Sequence, residues 1–199
     1  MVADATDTVR PSLWLRIEFA ALYIGAPLAI ALFLPPRQMF SALFLLTLAG
    51  LLLLWRTGGF QWRSLVRGWR RVDWQFAAGF TLAVGVTGWV LMTVSNPGYI
   101  LELTPARLRF LALIWVLYPL LSALPQELIF RPLFFHRYGA LFPDPRIATV
   151  VNAAIFSFAH LMYWSVVVGA MTFIGGLIFS LAYTRRGFPS AWVLHALAG

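Results

Sequence analysis

Six residues in the second half of the chain carry side chains suited to chemistry: Gln126, Glu127 and Arg131, then Asn152 and His160, then His195. Glu127 and Arg131 stand four apart, a spacing that sets a carboxylate and a guanidinium on one helix face and lets them pair. Asn152, Phe156 and His160 recur every four residues and share one face of a second helix. All of these groups fall inside apolar runs. An ionisable side chain at membrane depth costs on the order of 2.5–3.5 kcal/mol on insertion scales, so such groups gather in one cavity or pair with one another. A carboxylate and an imidazole around a water can take its proton and make it a nucleophile. A second imidazole and an amide can donate hydrogen bonds to the oxyanion that forms at an attacked carbonyl. Glu127, His160 and His195 would also make a catalytic zinc site with one open position. They lack the His-Glu-x-x-His spacing, so zinc is not the favoured reading and no cofactor is required. Ser157 and Ser180 are nucleophiles by residue type alone, without a local signature. The competing reading of Glu127 and Arg131 is a structural ion pair that ties helices together.

The elements that must position these residues are membrane helices. The 199-residue chain is 61% hydrophobic and 11% charged, with a mean hydropathy of +0.81. A water-soluble fold of this size could not hide that much apolar surface, because its outside must be wetted. The net charge of +8 comes from arginine alone, since lysine is absent. A pI near 11.0 in a soluble protein would suggest nucleic acid. Here the arginines cluster between apolar runs, which fits anionic lipid headgroups and the positive-inside rule and argues against nucleic acid. Cysteine is absent, which removes disulfides, a thiolate nucleophile and cysteine metal sites from consideration.

The apolar pattern predicts an all-α, polytopic transmembrane bundle of about seven spans: residues 13–34, 39–55, 76–94, 108–135, 147–164, 166–183 and a short run from Phe188 to Gly199. The last falls below the roughly 20 residues needed to cross. Residues 1–12 are polar and lack the basic start of a signal peptide, so the first run reads as a retained helix. Asn96-Pro97-Gly98, Thr104-Pro105 and Pro143-Asp144-Pro145 mark loops. Between the second and third spans, residues 56–75 predict an interfacial amphipathic helix. Arg63, Arg67, Arg70 and Arg71 take one face and Trp62, Leu65, Val66 and Trp69 another, which points to anionic headgroups as partners. With this basic segment in the cytoplasm, Arg131, Arg137, Arg146, Arg185 and Arg186 fall on its side and only Arg37, Arg107 and Arg109 near the other. The expected orientation therefore has a cytoplasmic N-terminus. The chain reads as a single membrane domain over 1–199, with N-terminal helices over 13–107 and the chemistry over 108–199.

Proline shapes the fourth span. Pro119, Pro125 and Pro132 each lack a backbone donor and free a carbonyl one turn earlier. Such backbone is tolerated at membrane depth only where it is buried in protein or lines water. A helix restarted at Pro125 would set Glu127 in a first turn, where the helix dipole favours its ionised form. In the sixth span, Thr172, Gly176, Ser180 and Thr184 recur every four residues as a small-residue packing ridge.

Gln126-Glu127-x-x-x-Arg131, Phe156-x-x-x-His160 and the late His195 resemble, in that order, the CAAX protease and bacteriocin-processing (Abi-type) family of intramembrane proteases. That family's pattern is Glu-Glu-x-x-x-Arg, Phe-x-x-x-His and His-x-x-x-Asn/Asp on successive helices. The likeness covers roughly residues 119–199, including Tyr183-Thr184-Arg185-Arg186-Gly187 and Pro189-Ser190. It implies an intramembrane endopeptidase for a membrane-associated or lipidated substrate, in a bacterial inner membrane. A glutamate and His160 would activate water, Arg131 would orient the glutamate, and His195 with an asparagine would stabilise the oxyanion. Two positions depart from the pattern. Gln126 stands where the family has its base, which leaves Glu127, about 100° around the helix, for that task. Gly199 stands where Asn or Asp is expected, so either the expected residue follows Gly199 or Asn152 substitutes for it. The alternative function is a catalytically silent relative that binds a peptide or serves as a bacteriocin immunity protein. A small transporter is the third reading, without the repeated halves such folds show.

Overall fold

A computed structural model describes residues 12–95, 98 and 104–199. The polar N-terminus and the Asn96-Pro97 part of the loop mark lie outside these residues. Five helices are long and apolar enough to cross a membrane: α1 (Leu13–Phe33), α3 (Trp74–Ser95), α4 (Pro105–Arg137), a fifth span over Pro145–Tyr163 that opens with α5 (Pro145–Phe158), and α6 (Val166–Arg186). Two shorter apolar helices, α2 (Met39–Trp55) and α7 (Phe188–Ala198), complete the bundle, and no strand occurs among the described residues. The surface is what lipid rather than water would select. Phe33, Val94 and Val166 are 81%, 76% and 90% exposed, and only 6% of the most apolar stretch of α3 is buried. The protein is an integral membrane protein of helical-bundle architecture.

Up-and-down alternation brings the start of α1, the end of α2, the starts of α3, α5 and α7 and the ends of α4 and α6 to one end of the bundle. Most of the arginines lie there. Glu18 of α1 accepts from Arg137 Nη2 (2.8 Å) and from the Tyr138 hydroxyl (2.6 Å), and Arg137 Nη1 also donates to Thr57 Oγ1 (2.8 Å). These bonds lash the first two helices to the fourth. Residues 56–75 do not form the expected amphipathic helix. They make two 3-10 turns, Trp62–Leu65 and Trp69–Arg71, separated by Gly68 at φ +106. Gly68 packs so closely on the Arg186 carbonyl that a Cβ there would sit 3.1 Å from it. Docking onto the α6–α7 corner overrides helical periodicity here.

The tightest helix pair is α5 with α6. A Cβ on Gly176 would meet the Ala153 Cα at 3.0 Å, so the small-residue ridge serves close approach as its spacing implied. Asp144 caps α5, accepting from Arg146 N at 2.7 Å, with Pro145 opening the helix. The core is aromatic: Tyr23, Phe130, Phe134, Tyr138, Phe156 and Phe179 are all buried.

Candidate active site

The proline-rich fourth span does not break at Pro125. It runs on through two π-helical stretches, Pro119–Ala123 and Ile129–Arg137, with a five-residue α segment, Leu124–Leu128, between them. A π turn is wider than an α turn and leaves carbonyls without their regular partners, which is why such turns gather at working sites. Two side chains answer those carbonyls. The Tyr23 hydroxyl of α1 donates to Ile129 O at 2.7 Å, and Asn152 Nδ2 donates to Phe130 O at 2.6 Å. Trp192 Nε1 donates to Pro119 O at 2.8 Å. The irregular backbone is thus buried in protein and held by three other helices.

On the α segment, Gln126 and Glu127 face different surroundings. Glu127 is fully buried. Its Oε2 accepts from Arg131 Nε at 3.1 Å, and its Oε1 accepts from His195 Nδ1 at 2.9 Å and from Arg131 Nη2 at 3.4 Å. Arg131, also fully buried, donates through Nη1 to Asn152 Oδ1 and to Ser180 Oγ (3.2 Å), and Ser180 donates in turn to Asn152 Oδ1 (2.7 Å). Its guanidinium lies over the rings of Phe156 (5.2 Å) and Phe179 (5.9 Å). Counterion, hydrogen bonds and aromatic faces together offset the desolvation of both charges.

Gln126 turns the other way, to a cavity of about 180 Å³ enclosed by α1, α2, α4 and the turn after α5. Tyr23, Ser122, Gln126, His160 and Tyr163 supply its polar groups, while Ile30, Leu43 and Phe130 are among its apolar walls. Gln126 Nε2 donates to Ser122 Oγ at 2.9 Å, which leaves the second N–H and the carbonyl oxygen of the amide without a protein partner. His160 Nδ1 lies 2.8 Å from Phe156 O. A carbonyl only accepts, so Nδ1 carries the proton and Nε2 presents a lone pair. Beyond His160 the chain turns through Leu161–Tyr163 and closes with Trp164 at φ +48, the single non-glycine residue in the left-handed region among the described residues.

The expected residues therefore form two groups. Glu127, Arg131, Asn152 and His195 join one buried network. Gln126 and His160 line the cavity, and neither Glu127 nor His195 does. The ring of Phe156 stands between, 4.8 Å from the His160 ring and 5.3 Å from the His195 ring, centroid to centroid. Glu127, expected as base, has both oxygens engaged and no access to the cavity. Asn152, expected as the substitute oxyanion donor, spends one of its two N–H groups on Phe130 O and accepts at its oxygen from Arg131 and Ser180, and it does not line the cavity. Glu127, His160 and His195 are not arranged as a ligand set, and no group of three His, Cys, Asp or Glu that could hold a metal ion occurs among the described residues. Sequence reasoning passed over Ser180, treated as packing or as a bare nucleophile, and missed Ser122 and Tyr23. Ser122 precedes Gln126 by four residues, a signal that was available. Tyr23 had none, since its partner lies 106 residues away.

No curated protein and no solved structure matches the chain. A family model does match: type II CAAX prenyl endopeptidase Rce1-like, over residues 108–199. The match takes in α5, α6, α7 and most of α4, with every residue of both groups; Tyr23 and the cavity walls from α1 and α2 lie outside it. Over residues 108–199, which hold Gln126-Glu127-x-x-x-Arg131, Phe156-x-x-x-His160 and His195, the chain matches the Rce1-like CAAX protease family.

Proposed function

We propose that the protein is an intramembrane endopeptidase that hydrolyses a peptide bond of a membrane-associated or lipidated substrate at the Gln126–His160 cavity. The observation that carries this reading is His160 on the wall of a largely apolar cavity, its Nδ1 engaged by Phe156 O so that Nε2 of the neutral ring is left to accept a proton. His160 takes a proton from a cavity water as that water attacks the scissile carbonyl. An amide cannot accept that proton, but the spare N–H of Gln126 can donate to the oxyanion. The nitrogen of the leaving amine then takes its proton back from His160. Glu127 acts one layer behind, its carboxylate fixing His195 and, with Arg131, Asn152 and Ser180, the shape of the π-helical wall. No metal takes part in this scheme, so EDTA leaves turnover unchanged. Loss of activity on chelation, restored by zinc, would overturn that part of it.

The test is cleavage of labelled membrane peptides, with and without a lipidated cysteine, by the full chain in liposomes. Wild type turns substrate over and His160→Ala does not. A second reading has its own supporting observation, the burial of Glu127 away from the cavity, which no carboxylate lines among the described residues. It makes the protein a silent relative that binds a peptide, as an immunity factor would. That reading wins if wild type is inert, binds peptide with unchanged affinity in His160→Ala, and gains turnover in Gln126→Glu. The setting we propose is a bacterial inner membrane with the N-terminus and the arginine-rich end in the cytoplasm. Arg63, Arg67, Arg70 and Arg71 meet anionic headgroups there, and reporter fusions at either terminus check the orientation.

A further inference from the structure

A second cavity, of about 290 Å³, opens between α3, α6 and α7, clear of the Gln126–His160 site. It changes character along its length. Towards the middle of the bundle its walls are Ile178, Leu181 and Leu194; at the arginine-rich end they are Asp73, Arg185, Arg186 and Ser190. Ser190 is only 3% exposed, yet its hydroxyl has no hydrogen-bond partner, alone in this among the buried side-chain polar atoms of the described residues. A buried hydroxyl left unmade costs stability, and a native fold that keeps one needs a reason.

The surroundings specify what would satisfy it. Ser190 lies in the first turn of α7, whose N-cap position is Gly187 with no side chain to cap it, so the positive end of the helix dipole meets no capping oxygen of its own; the Ser190 amide is spent on Gly187 O at 3.2 Å, and its hydroxyl is left over. Arg185 has no ion-pair partner among the described residues. Arg186 holds Asp73 at 3.0 Å and reaches Arg71 O at 3.4 Å. Asp73 is already committed: its Oδ1 accepts from Phe76 N at 2.9 Å, and that amide together with Arg186 holds its carboxyl below the ordinary range. One carboxylate faces two guanidinium groups, a helix N-terminus and an idle hydroxyl. An anion with several acceptor oxygens fits this end, and a hydrocarbon chain fits the other.

We propose that the α3–α6–α7 cavity binds one anionic phospholipid, its phosphate held by Ser190, Arg185 and the start of α7 and its acyl chain lying along Ile178, Leu181 and Leu194. This differs from loose headgroup contact at Arg63, Arg67, Arg70 and Arg71, because it requires a buried donor and admits a single molecule. Ser190 and His195 share α7, so the bound lipid also steadies the helix that carries His195. The site stands whether or not the protein cleaves peptides.

The test uses the full chain, purified and delipidated in mild detergent, titrated with phosphatidylglycerol or phosphatidylcholine and followed by native mass spectrometry and thermal melting. Wild type takes up one phosphatidylglycerol. Ser190→Ala and Arg185→Gln each weaken it about tenfold, as loss of one bond to a charged group does; Arg63→Gln does not. Without lipid, Ser190→Ala melts higher than wild type, because it removes the unpartnered hydroxyl, but it loses most of the rise that phosphatidylglycerol brings. Equal binding by Ser190→Ala and wild type overturns the proposal, as does equal binding of phosphatidylcholine. It is also overturned if inorganic phosphate alone reproduces the full rise in melting temperature, which would mark a free-anion site. Should Arg185→Gln fail to fold, Ser190→Ala still decides.

Discussion

Gln126 and Glu127 are neighbours in the chain and belong to opposite kinds of environment. Around Glu127 most donors and acceptors are matched: two carboxylate oxygens, a guanidinium, an amide, a hydroxyl and one imidazole nitrogen close a network with no member more than 4% exposed. Around Gln126 valences are left open, on the amide itself and on His160 Nε2, and they face a cavity. A saturated polar network in a low-dielectric interior holds a shape, whereas an unsaturated one beside space can bind and react. One residue of helical rotation separates architecture from candidate chemistry.

The largest effect should come from breaking the closed side. Arg131→Leu leaves the Glu127 carboxylate buried without its counterion, at a cost of about 3–5 kcal/mol, enough to lose the folded protein in a melting or expression assay. Replacing both partners, as Glu127→Gln with Arg131→Met, should recover much of that stability while still disturbing His195. If Arg131→Leu melts like wild type, the network is not what holds the fourth span.

On the open side the expected change is in rate. Gln126→Glu removes the N–H that donates to the oxyanion and sets a carboxylate in its place, and should lower turnover by about a hundredfold, with little change in melting temperature. A rise in turnover would instead mean that a carboxylate at this position serves as the base and that the amide N–H is not needed at the oxyanion. A smaller and purely structural effect is expected where the two sides meet. Tyr23→Phe removes the hydroxyl that serves Ile129 O and should cost about 1–3 kcal/mol in thermal or denaturant unfolding. A negligible loss would show that the π-helical carbonyl finds another donor.

Much of the scaffold was legible because lipid imposes a simple rule. Unbroken apolar runs marked the seven apolar helices of the described residues, although only five of the seven expected spans are long enough to cross, and the prolines marked the span whose hydrogen bonding would be irregular. The Gly176 ridge was legible for the same reason, since only small residues let α5 and α6 approach so closely. The segment around Gly68 misled, because its charges and tryptophans have helical periodicity whereas its backbone answers to contacts with the α6–α7 corner. Within the site, helical rotation alone said that residues 126 and 127 must diverge. Which of the two would meet His160 depended on π turns, whose wider winding leaves no trace in hydrophobic periodicity. Tyr23 and Ser180 escaped notice because hydroxyls are ordinary in helices and acquire meaning only from partners on other spans.

The most direct test of the open side as the reactive one is turnover of a membrane peptide by wild type and His160→Ala in the same liposomes, with folding of both verified by melting. The expected result is a fall of about a hundredfold or more at nearly unchanged stability. Equal turnover by the two proteins would contradict the account, and would place the chemistry elsewhere than the Gln126–His160 cavity.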